Sequence, residues 1–490
     1  MTAQPLKIAF CTTCKGRAQH VRKSLPLNLA DNADYENCIF IMVNYASQDT
    51  LMEELKEGYS EHIESGKLII YTVKDVTTFK MAHAKNIAHR LGIMHGADIL
   101  VNLDADNMTG PGFATYINEQ YQQSSQIYMW AKMIPGVLPR GISGRIVVTR
   151  QQFLLANGYD ERFETWGRDD KDFNERLGRL EFKPHEIPAR FLCGIRHDDR
   201  IRFKEYPHVK ALVPEYEDPT PPPNTHTVCN YGCFGLCIVT RNWEEIEIEL
   251  KPLPTRIFGI GMHKTGTTSL HTALKILKYG SAHWKGAGWA RGIWNQFIEF
   301  GHSELLDKSY AVCDLPITLL YEKLDKLYPG SKFILTIRDE EEWIQSVENH
   351  WSYELNPYRA SWNKDRFTHR IHKILYGQQT FDREIFLERY RKHNADVIEY
   401  FKGREEDLLI LNVNDEIDWA PLCEFLGDEI PNVPYPNSNK TPTKEELLLP
   451  SQPHKLIKAI IIGLLLTIGT VAGLSHCSHS TVADTNPYRL

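Results

Sequence analysis

The chain has 490 residues, of which 42% are hydrophobic and 24% charged, with a formal net charge of -7. That length predicts two or three domains rather than one core, and the acidic balance excludes a general nucleic-acid binder, which needs a concentrated basic surface. Ten cysteines are too sparse for a disulfide scaffold. The N-terminus, "MTAQPLKIAF", enters a strand-like run directly, so no secretory signal peptide is expected and a reducing cytosolic setting fits. The Cys11/Cys14 pair and the Cys229, Cys233, Cys237 series have no second pair or nearby His at metal-finger spacing and read as buried or incidental thiols.

Apolar runs at 7–11, 39–43, 68–73 and 98–103 predict strands, and Ala84, Ile87, Ala88 and Leu91 repeat with helical period within 81–94. Strands alternating with helices imply a mainly parallel α/β sheet. The strand at 98–103 delivers Asp104 and Asp106 with one residue between them. Two such strand-end carboxylates can share a divalent cation, which in turn bridges a nucleotide diphosphate.

The segment "NGYDERFETWGRDDKDFNERL", residues 157–177, resembles the acceptor-side segment of GT-A fold glycosyltransferases, in particular the galactosyltransferase pattern. Trp166 and Gly167 match that pattern, Arg168 and Asp169 replace a glycine and a glutamate, and Lys171 interrupts the acidic run. The resemblance implies a Rossmann-like nucleotide-sugar domain over residues 1–245, transferring a sugar with inversion. It places Asp170 on the catalytic carboxylate, the base for the acceptor hydroxyl. "GIRHDD" resembles the segment carrying the family's metal-binding histidine, so His197 joins Asp104 and Asp106 as an expected ligand of Mn2+ or Mg2+. Thr12, Thr13 and Arg17 in "FCTTCKGR", with Asp49 after the second strand, are expected near the nucleotide on the same resemblance.

Residues 216–226, "YEDPTPPPNTH", cannot continue a helix or strand and read as a linker or extended arm. A second strand–loop–helix begins at Arg256, "RIFGIGMHKTGTTSLHTALKIL". A strand turning through glycine into a helix N-terminus aims unsatisfied N–H groups at one point, where phosphate binds. Lys264 adds charge there, and Thr265, Thr267 and Thr268 add hydroxyls around Gly266. An ATPase or GTPase loop would place Lys directly after its last glycine. Here Lys264 precedes Gly266, and the strand expected at 332–337 closes on Arg338 rather than on a magnesium-binding Asp. A P-loop NTPase on a membrane scaffold is the disfavoured alternative.

"HKTGTTSL" resembles the 5′-phosphosulfate loop of PAPS-dependent sulfotransferases, and "ILTIRDEEEWIQSVENHW" resembles their 3′-phosphate site. The likeness covers most of 255–440 and implies a P-loop α/β sulfotransferase domain. On that basis Arg338 and Ser346 hold the 3′-phosphate that distinguishes PAPS from ATP, and Lys264 neutralises the leaving oxygen. Family members of the cytosolic branch use a His base in a "THLP"-like segment; here "CDLP" puts Asp314 at that position, with His263 and His283 nearby in sequence.

Residues 441–455 read as a tether, and 456–474 as about nineteen mostly apolar residues next to Lys455. That length predicts a single-pass C-terminal transmembrane anchor with the catalytic domains cytoplasmic. The expected protein is thus a bifunctional enzyme, building a glycan or glycolipid at a membrane from a nucleotide sugar and PAPS, without nucleic acid. The alternative is one active sulfotransferase beside a non-catalytic, glycan-binding glycosyltransferase-like domain.

Overall fold

A computed structural model describes residues 4–74, 76–132, 142, 144–163, 168–195, 228–352, 365–413 and 418–437. The linker at 216–226, the tether at 441–455, and Trp166, Gly167 and His197 lie outside them.

The first sheet is built from β1 (Ile8–Cys14), β2 (Cys38–Asn44), β3 (Leu68–Val73) and β4 (Ile99–Asn102), all parallel, in the spatial order β3-β2-β1-β4. Every residue of β2 is buried, which requires covering layers on both faces. β5 (Asn107–Met108) leaves the sheet to form a two-stranded ribbon. The sheet continues beyond β4 through β6 (Ile127–Trp130), β7 (Ile146–Thr149) and β8 (Lys183–Glu186), with β7 antiparallel to β4. β9 (Cys193–Gly194) is the ribbon partner of β5, and β10 (Cys237–Arg241) and β11 (Glu247–Leu250) extend the other edge beside β3.

A second, five-stranded sheet is wholly parallel, in the order β13-β14-β12-β15-β16. Its strands are β12 (Ile257–Gly259), β13 (Ser281–His283), β14 (Ala311–Cys313), β15 (Lys332–Ile337) and β16 (Leu408–Asn412). Gly259 lets β12 and β14 approach: a Cβ there would meet Cys313 Sγ at 2.7 Å.

The two sheets share one apolar cluster that includes Ile87, Leu91, Phe153 and Tyr159 from the first half and Leu270, Leu274, Tyr279 and Tyr310 from the second. The contacts that join them come from the amino edges of the strands. Lys278, just before β13, donates to Gly96 O at 3.1 Å and pairs with Asp98, just before β4. Lys308, ahead of β14, pairs with Glu181 at 2.7 Å. Arg150 follows β7 at the same edge; its guanidinium lies over Tyr279 and reaches Asp428 at 3.2 Å. Tyr279 stacks on Tyr310, with centroids 5.5 Å apart and planes 7° from parallel. The contacts of this joint leave the carboxyl edges of both sheets unused.

The expected C-terminal membrane anchor is corrected. No helix among the described residues is long and apolar enough to cross a membrane. The longest described helix, Arg383–Tyr400, carries Arg383, Glu384, Glu388, Arg389, Arg391 and Lys392, charges that a hydrocarbon layer would not accommodate. Residues 456–474 are outside the described residues, so the anchor, its membrane partner and the single-pass localisation have no structural support.

Removing Arg150 leaves Asp428 without its cation and Tyr279 without its stacked guanidinium. Arg150→Ala is expected to lower stability by about 3 kcal/mol, read as a fall in the urea midpoint. Arg150→Lys, which keeps charge but not the planar stack, should fall between the two.

Candidate active sites

The first candidate site forms where β1 and β4 end side by side. Cys11 pairs with Asn102, and Leu103 N donates to Cys11 O at 3.0 Å, so the β1 end and the Asp104–Asp106 turn are neighbours. Here the strand order reverses direction, the position at which open α/β sheets form a ligand crevice. Thr12 is buried within β1, and Arg17 caps the Ala18–Asp31 helix. Asp49 is tied into the neighbouring loop, accepting from Ala18 N at 2.8 Å and Ser47 Oγ at 2.7 Å.

Asp104 accepts a hydrogen bond from Asn102 Nδ2 at 3.2 Å, and the same amide donates to Gly144 O at 2.7 Å. Asp106 Oδ1 accepts from Asn107 Nδ2 at 2.7 Å. Across the crevice the Asp169–Arg179 helix begins with Asp169 and Asp170, acidic groups favoured in a first turn. Lys85, from the Met81–Met94 helix, bonds Asp169 Oδ2 at 2.7 Å and Asp170 Oδ1 at 2.6 Å. The helix that carries these acids is held from below by Arg176, which is fully buried and bonds Asp172 and Ala156 O, each at 2.7 Å.

Burial, followed by the neighbouring Asp169 charge, raises the Asp170 carboxyl to about 7, against the opposing pull of Lys85. Burial also raises Asp104. For Lys85, burial opposes the charge, but Asp169 and Asp170 outweigh it and hold the ammonium well above its ordinary range. Asp104 and Asp106 supply the paired carboxylates that suit a hard cation. His197, the third expected ligand, is outside the described residues, and among those described no group of three or more His, Cys, Asp or Glu could hold a metal ion.

The second candidate site forms at the carboxyl edge of the five-stranded sheet. After β12 the chain turns through Gly261–Gly266 into the Thr267–Ile276 helix. Gly261 lies flat on β15: a Cβ would meet the Thr336 hydroxyl at 2.1 Å. Gly266 adopts φ +88°, and Lys264 adopts φ +71°, a left-handed conformation disfavoured for a side-chain-bearing residue. Thr265 turns inward, donating to Met262 O at 2.6 Å and meeting the Thr336 hydroxyl at 2.7 Å. Its side chain therefore braces the loop.

Thr267, at the helix start, meets His283 Nε2 at 3.0 Å, and the same nitrogen is 3.4 Å from Asp314 Oδ2. Asp314, also left-handed at φ +75°, follows β14 directly. Burial raises its carboxyl, opposed by His283 and Lys264. Burial and then Arg338 lower the Lys264 ammonium, while Asp314 supports its charge. His263 is elsewhere: its ring stacks on Trp351 and bonds the Tyr376 hydroxyl at 2.8 Å, and burial keeps it neutral with a pKa well below the ordinary histidine range. Of the three sequence candidates for a base, Asp314 and His283 meet, and His263 does not join them.

Arg338 ends β15, its backbone clasped by the Tyr390 hydroxyl through two 2.8 Å bonds, while its guanidinium rests on Glu342. Ser346, on the Glu340–Trp351 helix, has a buried hydroxyl oxygen with no hydrogen-bond partner among the described residues. A buried orphan hydroxyl is uncommon and suits a site that an anion completes.

Residues 256–443 match the sulfotransferase domain family model, and residues 134–198 match the model for the N-terminal domain of galactosyltransferase. This chain joins a glycosyltransferase-like domain to a sulfotransferase domain. It is a transferase. A curated relative, Ava biosynthesis cluster protein M of Aspergillus versicolor, is 26% identical over 212 residues, covering 37% of this chain and 80% of the relative. The mannosyltransferase PcManGT from Pyrobaculum calidifontis, solved with GDP-Man and Mn2+, is 15% identical. It superposes at a TM-score of 0.33 over 45% of this chain and 67% of its own. TarS 1–349 from S. aureus is 9% identical at a TM-score of 0.32, over 38% of this chain and 59% of that one.

Sequence reading missed the parts played by Lys85, Gly144 and Thr336 in these sites. Gly144 offers the sharpest check. A Cβ there would stand 2.9 Å from Asp104 Oδ2 and 3.1 Å from Asp170 Oδ2. Gly144→Ala is expected to destabilise by about 1–3 kcal/mol through overpacking, seen as a lower thermal midpoint.

Proposed function

We propose that the chain is a bifunctional glycan-modifying enzyme, transferring a sugar from a nucleotide sugar at one site and a sulfuryl group from PAPS at the other. What carries the reading is that the parallel strands of each sheet lead into their own charged cluster: Asp104, Asp169, Asp170 and Lys85 on one, and the partly buried Lys264, Asp314, His283 and Arg338 on the other.

At the first site Asp170 takes the proton of the acceptor hydroxyl as that oxygen attacks the anomeric carbon, inverting it, and the nucleoside diphosphate leaves. Thr12, Arg17 and Asp49 border the nucleotide end. Asp104, Asp106 and His197 are the residues that would hold Mn2+ or Mg2+, whose charge would steady the donor diphosphate.

At the second site the acceptor oxygen bonds to sulfur while the bond from sulfur to the bridging phosphate oxygen breaks. Lys264 neutralises the oxygen that leaves, with the helix N-terminus and Thr267 and Thr268 around the 5′ end of PAPS. Arg338 and Ser346 receive the 3′-phosphate, a partner for the Ser346 hydroxyl that has none among the described residues. Asp314 accepts the acceptor proton and His283 fixes its orientation.

Incubation with a panel of UDP- and GDP-sugars plus PAPS, followed by mass spectrometry of glycan acceptors, tests the reading; absence of transfer from both donors would sink it. Lys264→Ala is expected to lower sulfuryl transfer by about 100- to 1,000-fold and leave glycosyl transfer unchanged. Asp170→Asn should do the reverse. Glycosyl transfer needs ionised Asp170, so its rate should rise with pH through about 7; a flat profile from pH 5 to 8 would count against Asp170 as the base.

A further inference from the structure

Lys85 treats its two carboxylate partners unequally. Its ammonium, on a side chain only 3% exposed, is divided between Asp169 and Asp170 and also lies 5.0 Å from the centre of the Tyr159 ring. The Asp169 side chain is as buried as Lys85, at 3%, whereas Asp170 keeps 25% of its exposure. Lys85 holds Asp170 by Oδ1. The other oxygen, Oδ2, borders the same gap beside Gly144 that Asp104 Oδ2 borders. One oxygen of Asp170 is thus fixed by Lys85, and the second stands on the side of Gly144 and Asp104.

We infer that Lys85 is a positioning residue of the glycosyl-transfer site: Asp169 anchors it, and it turns Asp170 so that Oδ2 receives the proton of the acceptor hydroxyl. This rests on the reading of Asp170 as the base. In the step itself the acceptor oxygen forms its bond to the anomeric carbon and the bond from that carbon to the diphosphate oxygen breaks. The electron pair leaves with the nucleoside diphosphate, and the proton passes to Asp170 Oδ2. Lys85 enters the step charged, because Asp169 and Asp170 together outweigh the effect of burying it, and Asp169 still faces it once Asp170 has taken the proton. Two adjacent aspartates that look alike in sequence have different work, one facing the lysine alone and one facing both the lysine and the gap beside Gly144.

Lys85→Met alone would leave two buried carboxylates without a cation, an arrangement expected to unfold the site. The informative variant is Lys85→Met/Asp169→Asn in the full chain, which removes cation and anchor together and keeps Asp170. It is compared with Asp169→Asn and Asp170→Asn, using each nucleotide sugar of the panel and reading kcat and donor KM separately. Sulfuryl transfer in the same preparation reports the integrity of the rest of the chain.

The double variant is expected to lose about 100-fold in kcat, with donor KM within about threefold of the wild type and sulfuryl transfer unchanged. Lys85→Arg keeps the charge but changes the donor geometry, and a fall of about tenfold in kcat is expected from it. Near-wild-type kcat in both variants, with Asp170→Asn inactive, would overturn the inference and leave the base intact. Full turnover in Asp170→Asn would overturn the base and the inference together. If the double variant fails to fold, Lys85→Arg decides by the same kcat comparison.

Discussion

A parallel strand covered on both faces can present chemistry only where it stops, and this constraint organises the whole described chain. β2 has no exposed residue, and β12 and β14 are buried throughout. Their side chains are spent on packing, so polar groups collect in the turns beyond the last paired residue. Asp104 comes two residues after β4, Asp314 and Arg338 directly after β14 and β15, and Lys264 in the turn after β12. At those points the ladder ends, and a charged side chain can be buried beside a partner.

The joint between the sheets respects the same constraint. It is made at the amino edges, by the Arg150–Tyr279–Tyr310 stack and the Lys278 and Lys308 pairs. A joint at the carboxyl edges would have buried the crevices. Stacked aromatic and guanidinium planes are well suited to the position, because they fill volume while leaving polar tips to find partners. Tyr310 shows this: its ring stacks on Tyr279 and its hydroxyl donates to Pro254 O.

Both candidate sites balance charge internally, and differently. The first has more acids than bases in its buried layer, so Lys85 is shared and Asp170 is left with a raised carboxyl. The second has more cationic character: Lys264 is lowered by burial and by Arg338, and Asp314 is raised by burial beside His283. A cluster short of positive charge suits a cationic partner and a base. One with an excess suits the phosphates of an adenylyl sulfate.

Much of this was legible in the sequence, because local patterns are set by neighbours along the chain. Apolar runs located β1 to β4, helical spacing gave the Met81–Met94 helix, and the order of glycine, lysine and threonine in 261–268 marked a strand–turn–helix. The two matched families follow from motifs of that kind. The apolar stretch at 456–474 misled, since length and hydropathy alone do not establish a spanning helix and none occurs among the described residues. Only the tertiary structure decided the pairings. Lys85 reaches Asp170 across 85 positions of sequence, and Tyr376 takes His263 out of contention from 113 positions away. Thr265 was readable as a phosphate-facing hydroxyl until Thr336 of β15 claimed it. Sequence determined which chemical groups stand at the strand ends, through local periodicity and turn chemistry; the packing of distant strands and helices decided which of them face one another, because contact is a property of space and not of order along the chain.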